Sequence, residues 1–126
     1  MFTLFRFNLR FFRARSREIR GNYIAAAALL GRNDVPPRWQ SLNDMYRIRL
    51  LVLGNSPSVG PEILETAKGL SWYQAPSSPG DHYAREYWNY MKAGVSGNVP
   101  DRQSAKQKLE AMAIRSIYRN SLQVTI

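Results

Sequence analysis

The chain has 126 residues, with 18 Lys/Arg against 9 Asp/Glu, a net charge of +9 and a pI near 10.4; that allows one small domain and favours polyanionic partners. It has no cysteine, which excludes disulfides, thiolate metal sites and cysteine catalysis. No apolar stretch approaches the roughly 20 residues of a membrane-spanning helix, and the longest clean run, Tyr23 to Leu30, is far too short.

The charge is concentrated at the two ends. Residues 1–20 hold six arginines and one glutamate, residues 101–126 hold five Lys/Arg and two acids, and the stretch between is almost neutral. This divides the chain into a basic Phe/Arg-rich arm, 1–20, and a single small helical region, 21–126. The arm has the composition of a mitochondrial transit peptide, with no acid before Glu18. Wound as a helix at about 100° per residue, it gathers Arg6, Arg10, Arg13, Arg17 and Arg20 on a stripe roughly 80° wide. Phe2, Phe5, Leu9 and Phe12 lie beside that stripe. A cleaved or disordered import signal is the plain reading. The other is a retained arm held by a larger assembly, since ordering each residue costs on the order of 1–2 kcal/mol.

Asn22 to Leu30 is alanine-rich and predicts a helix stopped by Gly31. Gly31 to Gln40, with Pro36-Pro37, predicts a rigid extended connector. Ser41 followed by Asp44 is close to a capping box, with Trp39 placed as its staple. Met45, Ile48, Leu51 and Val52 then recur at helical spacing, and Gly54 is expected as a left-handed C-cap. After the proline-containing loop 55–61, a short helix from Pro61 to Lys68 closes at Gly69. Gln74 to Gly80 reads as a loop. Asp81 is expected to cap a helix to Ala93 that closes at Gly94. Tyr83, Tyr87 and Tyr90 form a stripe on it, with Trp88 and Met91 adjacent. Such a stripe beside Arg85 and Lys92 could stack on bases, but it is more often buried packing. Pro100 opens a last helix running to about Asn120, with Asp101 suiting its positive end. On that helix Lys108, Arg115 and Arg119 share an arc of roughly 40°. Gln123 to Ile126 is a short tail of strand-like residues.

The fold class expected is mainly α: an extended set of four to five helices joined by Pro/Gly loops, with the basic arm at the N-terminus. His82 is the only histidine and has no cysteine partner, so no metal site is expected. No nucleophile elbow, phosphate loop or Walker pattern occurs, and Glu62 and Glu65 have no second feature marking them as an acid/base pair. No enzyme activity, cofactor or small-molecule substrate is expected.

The middle of the chain resembles a known family, the mitochondrion-specific small-subunit ribosomal proteins numbered thirty-three. The residues that carry the likeness are Arg47, Ile48 and Gly54, then Asn55 to Pro57, Glu62-Ile63-Leu64, Lys68-Gly69 and Trp72-Tyr73 with Pro76 beyond. The family's basic C-terminal helix would match Asp101 to Arg119. The gap from Gly69 to Trp72 is shorter than the family's, the proline does not follow the tyrosine directly, and the terminal Gly-Lys-x-Pro-Lys-Lys tail is missing. The resemblance implies a structural component of the mitochondrial small ribosomal subunit, in the matrix, touching ribosomal RNA and other mitochondrial ribosomal proteins. The RNA contacts are then expected at Arg6, Arg10, Arg13, Arg17, Arg20, Lys108, Arg115 and Arg119. The alternative is a non-catalytic accessory subunit of a respiratory or ATP-synthase complex at the inner membrane. Its arm would lie on the anionic lipid surface with Phe2, Phe5, Leu9 and Phe12 inserted.

Overall fold

The computed structural model describes residues 2–31 and 34–124, with the side chains of residues 2–5 outside the description. Among the described residues the chain is mainly α, with no strand. Eight α-helices follow in order: α1 Phe2–Ile19, α2 Tyr23–Leu29, α3 Gln40–Gly54, α4 Gly60–Glu65, α5 Ser71–Gln74, α6 Pro79–Ser96, α7 Val99–Ala111 and α8 Ser116–Ser121. Single 3-10 turns precede α3 and α4 and follow α4. The helices outnumber the four or five expected because proline and glycine divide the chain into shorter pieces. They are also not extended. Every one of them reaches a single hydrophobic core that runs from Phe7 and Phe11 through Leu42, Leu50 and Leu64 to Tyr87, Leu109 and Leu122.

Helix α3 is the central post, and α2, α4, α6 and α8 pack around it. Helices α1 and α2 form a hairpin turned at Gly21, whose φ of 78° is the left-handed conformation glycine tolerates. The N–H of Asn22 returns there to the Arg17 carbonyl at 2.9 Å, satisfying an orphan acceptor at the helix end. Phe7, Phe11, Ala14 and Glu18 recur at i, i+4, i+7 and i+11 and lay one side of α1 against the core. The arm is therefore a wall of the fold, and its order comes from this chain's own packing.

Helices α6 and α7 form a second hairpin, joined by Gly97 and Asn98 alone. Ser78 caps α6 by accepting the Asp81 N–H at 3.1 Å, and Asp81 accepts the Ser77 N–H at 3.1 Å in return. Asp81 thus sits one turn inside a helix capped by Ser78. The helix passes through Gly94 and closes at Gly97, φ 70°. Asn98 then caps α7 through the Asp101 N–H at 3.1 Å. Gly54, expected as a left-handed cap, and Gly69, expected to close the next helix, have no positive φ. Gly54 has a different role: a Cβ there would lie 2.8 Å from Ile24 Cδ1 and 3.0 Å from Tyr23 Cβ, so it lets α2 approach α3. Ser41 is not a cap either, because the 3-10 turn Pro37–Trp39 leads into α3 and places Ser41 inside it, buried. Asp44 instead accepts from the Trp72 indole N–H at 3.0 Å.

The last helix expected from the sequence is broken between Ala111 and Ser116. A straight helix would carry Ile117 and Tyr118 away from the core. The extended backbone at Met112 and Arg115 turns α8 back, which buries Tyr118 and Leu122. Burial here overrides local helix propensity. The Tyr83, Tyr87, Tyr90 and Trp88 stripe is buried in the core, so its base-stacking reading falls away.

Candidate functional site

The arginines of α1 divide between core and solvent. Arg10 turns inward and pairs with Asp34, Nη2 to Oδ1 at 2.9 Å, while also donating to the Asp34 carbonyl at 3.3 Å. It ties the 34–39 connector to the helix. Arg6, Arg13, Arg17 and Arg20 stay exposed, and none has an acidic partner among the described residues. Arg13, Arg17 and Arg20 line a shallow cleft of about 370 Å³ with Ser16 and Asn22. Guanidinium groups in such a row can each grip a phosphate with two hydrogen bonds. Beside them Phe12 is 73% exposed, Ile19 78% and Leu9 39%. The side chains of Phe2 and Phe5, expected in the same strip, lie outside the described residues.

Lys108, Arg115 and Arg119 do not share one helix as expected, because that helix is broken. Lys108 is on α7, with Nζ 4.0 Å from Glu86 Oε1. Arg115 lies in the connector, its guanidinium carbon 5.8 Å from the Trp39 ring centroid. Arg119 on α8 reaches back to donate to the carbonyls of Leu109 and Met112. It closes the C-terminal end of α7, where a cation suits the helix dipole.

A buried polar network was not foreseen. Glu18 on α1 accepts from Arg49 Nη1 at 2.5 Å and from the Tyr46 hydroxyl at 2.7 Å. Arg49 Nε donates to the Tyr87 hydroxyl at 3.0 Å, and that hydroxyl donates to the Gln123 carbonyl at 2.7 Å. Burial pushes the Glu18 carboxyl up, but hydrogen bonds from Arg49 and Tyr46 and the charges of Arg49 and Arg15 outweigh it and hold the group below the usual range. Burial and the neighbouring carboxylate both push the Tyr46 hydroxyl up, so it stays a proton donor. The signal was in the sequence: Glu18 falls in helical register with Phe7, Phe11 and Ala14, and Arg49 sits between Ile48 and Leu50.

His82 is exposed on α6. No helix among the described residues is long and apolar enough to cross a membrane. No protein-family model, curated protein or solved structure matches the chain.

Proposed function

We propose that this chain is a non-catalytic structural component of the mitochondrial small ribosomal subunit, in the matrix, docked on ribosomal RNA and on neighbouring ribosomal proteins. The observation that carries the proposal is the set of exposed, acid-free arginines Arg6, Arg13, Arg17 and Arg20 on a helix whose opposite face is locked into the core. Because the helix backbone is already ordered by its own packing, only side-chain freedom is lost when the row meets a phosphate backbone. It supplies affinity and position and carries little base information. Arg10 is turned inward onto Asp34 and Arg119 is engaged by the carbonyls at the end of α7, so both leave the proposed RNA set, while Lys108 and Arg115 remain exposed on different elements.

The test is retention on small ribosomal subunits as salt is raised, wild type beside Arg13→Gln/Arg17→Gln/Arg20→Gln. Each lost phosphate contact lowers the salt slope by about 0.7–0.9, so the triple variant is expected to lose about two units or more. Equal retention across the series would remove the arm as an RNA anchor. A second reading, the inner-membrane accessory subunit, is favoured by one observation: Leu9, Phe12 and Ile19 are exposed beside the arginines, as on helices that lie in a lipid interface. Loss of the triple variant from cardiolipin-containing vesicles, with unchanged retention on ribosomal subunits, would give it the lead.

A further inference from the structure

A second concave site borders Trp39, and no described residue of α1 lines it. It is a cleft of about 500 Å³, within the size range of small-ligand sites, lined by Arg38, Trp39, Pro79, Ile114, Arg115 and Tyr118 among others. Three observations bear on what it holds. The Arg38 guanidinium carbon is 4.6 Å from the Trp39 ring centroid and that of Arg115 is 5.8 Å away, yet both arginines are exposed and neither has an acidic partner among the described residues. Phe7 is stacked on Trp39 at 6.5 Å and 10°, so the indole is a fixed support that is only 8% exposed. The Trp39 indole N–H is buried with no acceptor among the described residues, whereas those of Trp72 and Trp88 are hydrogen-bonded at 3.0 and 2.7 Å. A buried donor left unpaired costs about 1–3 kcal/mol, and the Trp39 indole N–H reports on changes in the ring's surroundings.

We infer that this cleft takes one nucleotide, with its planar base stacked on the Arg38 guanidinium and its phosphate held by Arg115. The inference rests on the RNA reading above and adds a site to it. Guanidinium planes stack on unpaired RNA bases, and the Arg38 guanidinium already sits over an indole ring at the cleft. The apolar wall of Pro79, Ala113 and Ile114 argues for a ring over a bare anion, because a site for phosphate alone would be surrounded by donors. The start of the 18-residue helix α6, at Ser78 to Gly80, opens onto the same cleft and adds partial positive charge. The Asp81 carboxylate, in the first turn of α6, is engaged by the Ser77 N–H and hydroxyl at 3.1 and 3.3 Å.

The experiment follows the three tryptophan indole N–H resonances of the full chain while adenosine monophosphate, uridine monophosphate, inorganic phosphate or adenosine is added. A hexanucleotide of single-stranded RNA tells polymer from free nucleotide as the source. The expected result is a shift of the Trp39 resonance with the monophosphates, about tenfold weaker response to phosphate or adenosine, and tighter binding of the hexanucleotide. Arg38→Lys keeps the charge without the plane, and is expected to lose about tenfold for the monophosphate while binding phosphate as before. A monophosphate that binds no better than phosphate, a Trp39 resonance that stays still, or an Arg38→Lys chain that matches wild type would each overturn the inference. The Arg13/Arg17/Arg20 variant separates the two ideas. It should bind monophosphate normally and still detach from subunits, whereas normal subunit retention with monophosphate bound would sink the anchor and keep the cleft.

Discussion

Replacing Glu18 by glutamine is the sharpest probe of what holds α1 to the core. The Glu18 and Arg49 side chains are each only 9% exposed. Glutamine keeps an acceptor for the Tyr46 hydroxyl and removes the charge, leaving the Arg49 guanidinium buried and uncompensated. Breaking a buried pair from one side costs about 3–5 kcal/mol, and the retained hydrogen bond puts this case near the lower end. Against a total stability of about 5–15 kcal/mol that is a large share. For a chain of this size it lowers Tm by roughly 10–15 °C. The combined variant Glu18→Leu/Arg49→Met/Tyr46→Phe removes the charges and the orphaned hydroxyl together, and is expected to return to within about 1 kcal/mol of wild type. The Tyr87 hydroxyl keeps its Gln123 acceptor in that variant. The assay is thermal and urea unfolding followed by circular dichroism. A Glu18→Gln loss below about 1 kcal/mol, or a combined variant as unstable as the single one, would refute the idea that an uncompensated charge is the cause.

Three further outcomes follow from the same packing. Because the folded Glu18 carboxyl titrates below its ordinary 4.5, its stabilisation is complete above that pH and is lost as pH falls through the lower folded value; the wild-type advantage over Glu18→Gln should therefore narrow in unfolding curves taken below pH 4.5. Asp44 has the opposite sign, since burial outweighs its hydrogen bonds from Trp72, Gln40 and Asn43 and raises it above 3.8. Asp44→Asn does not simply release that cost, because both carboxylate oxygens accept and the new amide N–H2 must face the Trp72 or the Gln40 N–H; it is expected to cost about 1 kcal/mol in urea unfolding at pH 7, and the wild type should gain on it as pH falls toward 3.8. Gly54→Val should cost about 1–3 kcal/mol, because its branches press on Ile24 and Tyr23, while Gly69→Val, with nothing within 4 Å of its Cβ, should change urea midpoints by no more than about 0.5 kcal/mol.

The helix class and most helix positions were legible because apolar spacing and Pro/Gly punctuation are local signals. The choice of capping glycine was not. Gly54 follows an apolar run as a C-cap should, yet its place is decided by Tyr23 and Ile24 on another helix. Gly21 and Gly97, which do adopt positive φ, look no different in the sequence. The alignment of the α1 arginines is legible in the sequence, but periodicity shows only alignment. It could not show that Asp34 claims Arg10 or that the stripe borders a buried face. The C-terminal stripe failed for a related reason: an arc on a helical wheel exists only if the helix is unbroken, and the burial of Tyr118 and Leu122 breaks it. The Arg38–Trp39–Arg115 cleft was out of reach, since it is assembled from residues 38 and 115 across the fold.

The docking of α1 has a consequence for proteolytic processing. Residues 1–20 carry the composition of an import leader, and they also supply Phe7, Phe11, Ala14 and Glu18 to the interior. A peptidase that trimmed the segment would strip the cover from Trp39 and Tyr46 and strand Arg49 without its counter-charge. A chain that lost residues 1–20 would therefore lose part of its own interior, and its remaining helices would have to close over Trp39, Tyr46 and Arg49 without it.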